Sequence, residues 1–165
     1  MIIWLIGLSG SGKTSIAFEI YKKIKNKKNF MIVDGDEVRQ IFDKKTKHDK
    51  KGRFLNAKRI QSICKLCDNY NINVICNIVC IFPNILKKNR KLFKKYFEVY
   101  VESDINYLIN RNNKNVYKKK KNVVGMDIKF PIPKNPDMVI NTFKEKNKEK
   151  NADKIFLKIK KYLNS

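Results

Sequence analysis

The 165-residue chain has no long apolar run and few acidic residues. No stretch approaches the roughly 18 apolar residues of a membrane-spanning helix, so no membrane partner is expected. The apolar opening, Met1 to Ile6, has no basic stretch before it and no cleavage site after it, so no signal peptide is expected. The four cysteines are therefore expected to be reduced thiols in the cytoplasm.

The shortage of acidic residues leaves the chain strongly basic, with 15 Asp and Glu against 38 Lys and Arg and a formal net charge of +23. Such a charge attracts phosphate backbones. However, lysines occur in every segment, with clusters at 22–28, 44–51, 117–121 and 144–161, and no RNA-binding signature or aromatic stacking platform accompanies them. We therefore expect solvated basic faces, and no nucleic-acid partner.

What is present is a phosphate-binding motif in its proper context. An apolar run of strand length, Ile2 to Ile6, precedes Gly7-Leu8-Ser9-Gly10-Ser11-Gly12-Lys13-Thr14, and a helical pattern follows. The spacing G-x-x-x-x-G-K-T places backbone N–H groups and a helix N-terminus around a phosphate. Lys13 supplies a charge for the β- and γ-phosphates, and the Thr14 hydroxyl can bind Mg²⁺. The motif predicts binding of a nucleoside triphosphate.

Hydrophobic patterning predicts strands that alternate with helices over the whole chain. The strands are expected at 2–6, 30–33, 74–79, 97–101 and 138–140, and the helices at 13–27, 37–43, 53–70, 83–95, 104–111 and 152–163. This alternation favours an α/β fold of the P-loop NTPase, nucleotide-kinase type, with a five-stranded parallel sheet and helices on both faces. We expect a single domain, 1–165, with a short lid at about 112–124 and an exposed connection at 144–151.

Ligands of such sheets bind beyond the carboxyl ends of the strands. Asp34 and Asp36 follow the second strand, where one carboxylate can hold Mg²⁺ and the other can accept a proton from an attacking hydroxyl. A simple Asp-Gly turn is the alternative. Arg39, Arg53 and Arg111 are candidates for binding phosphate, because the guanidinium group matches it bidentately.

Two features carry weaker signals. Cys64-x-x-Cys67 and Cys76-x-x-x-Cys80 have spacings found in zinc sites, but they fall on an apolar helix face and at a buried strand, where cysteine packs as a small hydrophobic residue. His48, the only histidine, lies in a polar loop. It is either a loop residue or a substrate contact.

Taken together, the motifs resemble the adenylylsulfate kinase family, P-loop kinases that phosphorylate the 3′-hydroxyl of adenosine 5′-phosphosulfate. The matching stretches are Ile3 to Thr14, Asp34-Gly35-Asp36-Glu37-Val38-Arg39, Arg53-x-x-Asn56-x-x-Arg59-Ile60, Phe97 to Val101, Lys114-Asn115-Val116-Tyr117-Lys118-Lys119, Gly125-Met126-Asp127, Pro136-Asp137 and Thr142. The resemblance spans about residues 2–142 and implies ATP and Mg²⁺ as cofactors and a small nucleotide conjugate as the substrate.

The expected site residues follow from the motifs, the strand ends and this resemblance. The catalytic residues are Lys13, Asp36 and Arg111; ATP is bound by Gly7, Ser9, Gly10, Ser11, Gly12, Lys13, Thr14, Ser15 and Arg111; Mg²⁺ is held by Thr14 and Asp34. The acceptor contacts are Asp36, Arg39, His48, Arg53, Asn56, Val79, Cys80, Lys114, Asn122 and Val123.

The acceptor half departs from the family pattern. The family holds the acceptor's adenine between two phenylalanines, where this chain has His48 and Val123. The lid is also about five residues shorter, and Cys80 replaces a serine. Val123-Val124-Gly125-Met126-Asp127-Ile128-Lys129-Phe130-Pro131 resembles kinases of capsule-modification gene sets that act on cytidine diphosphoramidate. Both acceptors stay open here, with a slight preference for the cytidine compound.

Three other classes fit less well. A GTPase switch would need Asn-Lys-x-Asp, but Asn113-Lys114-Asn115-Val116 lacks the aspartate, and no Asp-x-x-Gly stands directly at the end of the second strand. A nucleic-acid-binding module would bind DNA or RNA with steep salt dependence and no turnover. A degenerate regulatory P-loop protein is disfavoured because Lys13, Thr14, Asp36 and Arg111 are all present. Whether the chain forms a homodimer is left open.

Overall fold

A computed structural model describes residues 1–26, 29–42, 46–111, 115–118 and 121–163. The strands are β1 (Ile2–Ile6), β2 (Phe30–Asp34), β3 (Asn73–Ile78), β4 (Tyr96–Glu102) and β5 (Met138–Asn141). The helices are α1 (Lys13–Ile24), α2 (Gly35–Phe42), α3 (Lys50–Asn69), α4 (Pro83–Leu92), α5 (Ile105–Arg111) and α6 (Lys148–Leu163).

The five strands form one parallel sheet in the order β2-β3-β1-β4-β5. β1 lies at the centre, and none of its five side chains is exposed to solvent. A strand buried on both faces is expected to be apolar throughout, and this is why Ile2 to Ile6 shows no polar alternation. The predicted α/β fold with a five-stranded parallel sheet is confirmed.

Two apolar cores lie on opposite faces of the sheet. Side chains of β1 alternate between them, so that Trp4 packs with α2, α3 and α4 on one face, whereas Leu5 packs with α1 and α6 on the other. The four cysteines are buried free thiols, and all of them belong to the first core. Within the described ranges, no group of three or more His, Cys, Asp or Glu side chains is placed to hold a metal ion.

Helix starts were the least well predicted feature. The expected exposed connection at 144–151 is wrong in its second half, because α6 begins at Lys148, where the Asn147 side chain accepts a hydrogen bond from the Lys150 N–H at 2.9 Å. Likewise, α3 begins at Lys50 rather than at residue 53, since Asp49 caps it by accepting from the Gly52 N–H at 2.8 Å. Short polar side chains at these positions satisfy the free N–H groups of a helix start.

None of the helices that the structure describes is both long enough and apolar enough to cross a membrane.

Candidate active site

The carboxyl ends of the strands open onto one cavity of about 820 Å³. That volume lies within the usual range for small-molecule sites. Most of the site residues predicted from the sequence line it: Ser9, Gly10, Gly12, Lys13, Thr14, Ser15, Asp34, Asp36, Arg39, His48, Arg53, Asn56, Val79, Arg111, Asn122 and Val123. Gly7, Ser11 and Cys80 are not among its lining residues, and Lys114 lies outside the described residues.

The loop between β1 and α1 has a backbone that only glycine adopts readily. Gly10 and Gly12 have φ angles of 76° and 90°, in the left-handed region. Gly7 meets a different limit, because a Cβ atom there would lie 2.3 Å from the Val101 carbonyl oxygen. Gly7 therefore keeps the loop close to β4, although it does not line the cavity.

Lys13 is buried beneath this loop. Its Nζ donates to the Leu8 carbonyl at 2.6 Å and approaches the Ser11 hydroxyl at 3.4 Å. Both contacts are to the loop itself, so the ammonium group is held at the place where a phosphate would be bound. Thr142, the residue after β5, holds the loop by donating its hydroxyl to the Ser11 carbonyl at 3.0 Å.

A hydrogen-bonded trio of side chains joins three elements at the cavity wall. The Thr14 hydroxyl, at the start of α1, lies 3.1 Å from Oδ2 of Asp34, at the end of β2. Asn77 of β3 donates its Nδ2 to the Thr14 hydroxyl at 3.0 Å and also to Oδ2 of Asp34. Sequence reasoning missed Asn77; the available signal was one amide inside the apolar run Val74 to Val79.

Asp34 uses its two carboxylate oxygens differently. Oδ1 accepts the N–H of Asp36 at 2.7 Å and that of Glu37 at 3.4 Å, which caps α2, while Oδ2 takes part in the trio. Oxygen ligands of this kind, a hydroxyl and a carboxylate, are those that Mg²⁺ prefers. The donor set therefore fits a magnesium ion.

Two arginines also line the cavity. Arg39 donates to the carbonyls of Thr46 and Lys47, and Arg53 donates to the Asn122 carbonyl at 2.9 Å. Burial lowers the pKa of both guanidinium groups, and their mutual repulsion contributes to the lower pKa of Arg53. Each Nε atom is buried without a hydrogen-bond partner among the described residues. The pair is suited to binding an anion that enters the cavity.

The loop at 121–128 also contributes to the cavity lining. Asp127 accepts the N–H groups of Asn122 and Val123, each at 2.6 Å, and these bonds, that from Val123 foremost, hold the pKa of its carboxyl below the usual range. Asn122 has a φ of 63°, and Arg53 binds its carbonyl from the other side. The Val123 side chain is buried in a small apolar cluster that contains Leu8, Ile81, Leu108, Tyr117 and Val124.

The other predicted acceptor contacts differ in their placement. His48 is exposed and immediately precedes the cap of α3. Asn56 is buried, with Nδ2 donating to the Gly35 carbonyl at 2.8 Å. Cys80 is also buried, with its Sγ atom 3.8 Å from the Phe82 carbonyl, and burial raises the pKa of its thiol to about 12.

The sequence of this chain is similar to those of known kinases. The family model for adenylylsulphate kinase matches residues 1–141. The chain is 39% identical over 164 residues to a cytidine diphosphoramidate kinase of Campylobacter jejuni subsp. jejuni, covering 96% of this chain and 95% of that protein. It is 34% identical over 149 residues to an adenylyl-sulfate kinase of Clostridium kluyveri, covering 86% and 75%.

A solved structure shows the same fold at lower identity. The Mycobacterium tuberculosis APS kinase in complex with AMPPNP and APS matches with a TM-score of 0.86 at 22% identity, over 96% of each chain. The fold, the phosphate-binding loop and the match to the family model over residues 1–141 agree. This chain belongs to the adenylylsulphate kinase family.

Proposed function

We propose that this kinase uses ATP and Mg²⁺ to phosphorylate the ribose 3′-hydroxyl of cytidine diphosphoramidate. The observation that carries the choice of acceptor is the cavity lining: none of its described residues is Phe, Tyr or Trp. The two-phenylalanine clamp that the family resemblance implies for adenine is therefore missing from the described wall. The 39% identity to a cytidine diphosphoramidate kinase over nearly the whole chain supports the same acceptor.

The donor half of the reaction belongs to the loop after β1. Its backbone N–H groups and Lys13 would bind the β- and γ-phosphates, and Arg111, which lines the cavity at the end of α5, would balance charge on the transferred phosphoryl group. Thr14 and Asp34 would hold Mg²⁺, which supplies neutralisation of phosphate charge when bound.

The acceptor half belongs to α2, α3 and the 121–128 loop. Asp36 is exposed on the cavity side of α2 and would accept the proton of the attacking hydroxyl. Arg39 and Arg53 line the cavity and would bind the acceptor's two phosphorus groups through their guanidinium groups. Asn56 and Asn122 offer amide groups for orientation, and Val79, His48 and Val123 would surround the base.

The test is a direct comparison of acceptors. The purified protein is incubated with ATP and Mg²⁺ and with either cytidine diphosphoramidate or adenylylsulfate, and the 3′-phosphorylated product is identified by mass spectrometry. We expect turnover with the cytidine compound and much less with adenylylsulfate. Lys13→Ala serves as the inactive control.

Each other outcome has a definite meaning. Turnover confined to adenylylsulfate would refute the proposed acceptor and show that adenine is held without the aromatic clamp. If neither acceptor is phosphorylated, then neither cytidine diphosphoramidate nor adenylylsulfate is the substrate. Product formation that persists in Lys13→Ala would indicate a contaminating kinase.

A further inference from the structure

Asn77 is a polar residue in a place where an apolar one is expected. It lies in β3 between Cys76 and Ile78, and its side chain is 3% exposed. Burial of an amide destabilises a fold unless its polar atoms are hydrogen bonded. A strand that is apolar on both sides of this position therefore needs a reason for an amide.

The hydrogen bonds of Asn77 supply that reason. Its Nδ2 donates to the Thr14 hydroxyl at 3.0 Å and to Oδ2 of Asp34. The reverse orientation of the amide would place Oδ1 against a carboxylate oxygen, so charge repulsion fixes Nδ2 toward Asp34. Oδ1 is buried and has no hydrogen-bond partner in the part of the chain that the structure describes, and Asn77 lines the cavity.

These contacts determine which lone pair Thr14 can offer. A hydroxyl oxygen carries one hydrogen and two lone pairs. The hydrogen points to Asp34 at 3.1 Å, and Nδ2 of Asn77 occupies one lone pair. One lone pair is left, and the rotation of the hydroxyl is no longer free.

We propose that Asn77 is a positioning residue for the divalent cation of this kinase. By holding both Thr14 and Asp34, it sets the direction of the one lone pair that the Thr14 hydroxyl keeps for a cation that arrives with the nucleotide. It also fixes the Asp34 carboxylate beside that hydroxyl, where the carboxylate can bind the water shell of the cation. The proposal rests on the proposed function, in that it takes Thr14 and Asp34 to be the cation ligands.

The test measures how much Mg²⁺ strengthens nucleotide binding, without any acceptor or turnover. The Kd of a fluorescent ATP analogue is measured in Mg²⁺ and in EDTA for the wild-type protein, Asn77→Ala and Asn77→Val. Valine is a residue favoured in strands, and it keeps most of the side-chain volume while removing both donated hydrogen bonds. Asn89→Ala is the matched control, since Asn89 is a fully buried amide in α4 that does not line the cavity.

We expect the Mg²⁺-dependent gain in affinity to fall roughly 10-fold or more in both Asn77 variants, as is typical when groups that orient metal ligands are removed. The Kd in EDTA should stay within about twofold of wild type, because the phosphate-binding loop is untouched. Asn89→Ala should keep the full gain.

Three results would overturn the proposal: a wild-type gain retained in Asn77→Val, equal rises in Kd with and without Mg²⁺, or no Mg²⁺-dependent gain in the wild-type protein. The acceptor is not part of this measurement. If the Asn77 variants lose the Mg²⁺-dependent gain in affinity, the role of Asn77 is supported even when cytidine diphosphoramidate proves not to be the substrate. If that compound is turned over and the gain in the variants is unchanged, the role of Asn77 is refuted and the proposed function is not.

Discussion

Replacement of Tyr117 by phenylalanine tests whether the segment after α5 is fastened to the phosphate-binding loop. The Tyr117 hydroxyl donates to the Ser9 carbonyl at 2.7 Å, across 108 residues of sequence. Its ring is 9% exposed and packs in the cluster that contains Leu8, Leu108 and Val123. Phenylalanine keeps that packing, so the variant removes one hydrogen bond and little else.

The size of the effect follows from that single bond. A neutral intramolecular hydrogen bond contributes about 0.5–1.5 kcal/mol net. A loss of about 1 kcal/mol lowers the Tm by about 2–4 °C in a chain of this length. If ATP binding requires the fastened segment, the same energy raises the KM for ATP by about fivefold.

Thermal unfolding measures the change in Tm, and steady-state kinetics measure the change in the KM for ATP. The pH dependence of stability gives a further prediction. Burial raises the pKa of the Tyr117 hydroxyl to about 12, from the usual tyrosine value of about 10. Because this pKa is higher in the folded state, the hydroxyl ionises first in the unfolded chain, so the wild-type protein loses stability between about pH 10 and 12 through this group. The phenylalanine variant lacks this loss, and the difference in Tm between the two proteins should narrow over that range.

Tyr70→Phe is the matched control, because Tyr70 is 73% exposed and does not line the cavity. It should leave Tm and KM unchanged. A Tyr117→Phe protein whose Tm and KM both equal those of wild type would refute the fastening role and leave Tyr117 as a packing residue only.

Three further substitutions separate the roles proposed for the site. Asp36→Asn should lower kcat by about 10²–10⁴-fold without weakening Mg²⁺-dependent ATP binding, and near-normal kcat would remove Asp36 as the proton acceptor. His48→Phe restores one aromatic wall at an exposed position and should raise kcat/KM for adenylylsulfate by about 5–100-fold relative to the cytidine compound, so an unchanged ratio would mean that residue 48 does not contact the base. Asp127→Asn removes the carboxylate that holds the Asn122 and Val123 N–H groups, and steady-state kinetics should show a higher KM for the acceptor with an unchanged KM for ATP.

The fold was predictable because its strands are short apolar runs separated by helical patterns. β1, β3 and β4 are buried on both faces, and burial of that kind leaves a direct mark on the sequence. Helix starts depend instead on one polar side chain meeting one N–H group, as with Asn147 and α6. Asparagine also occurs in loops and turns, so the pattern alone placed the start of α6 four residues late.

The site was predictable where the sequence order also gives the position in space. Asp34 comes at the end of a strand and Thr14 at the end of the phosphate-binding motif, so both were expected at the same edge of the sheet, and they lie there in contact. Asn77 and Tyr117 were not assigned roles, because each acts through a partner more than 60 residues away. Contacts of that range depend on strand order, which the sequence alone did not supply.

The proposed donor and acceptor halves of the cavity are built in different ways. This difference bears on how the choice of acceptor can change within the family. The donor half depends on backbone geometry, with left-handed glycines at 10 and 12 and the Gly7 contact to β4. The proposed acceptor half depends on side chains of α2, α3 and the 121–128 loop, and Arg53 and Asp127 hold that loop in place. The exposed His48 side chain can be exchanged without moving the loop after β1, whereas Val123 packs in one cluster with Leu8 of that loop. One family can therefore include kinases for adenylylsulfate and for cytidine diphosphoramidate, provided that the residues holding the wall keep it within reach of Asp36.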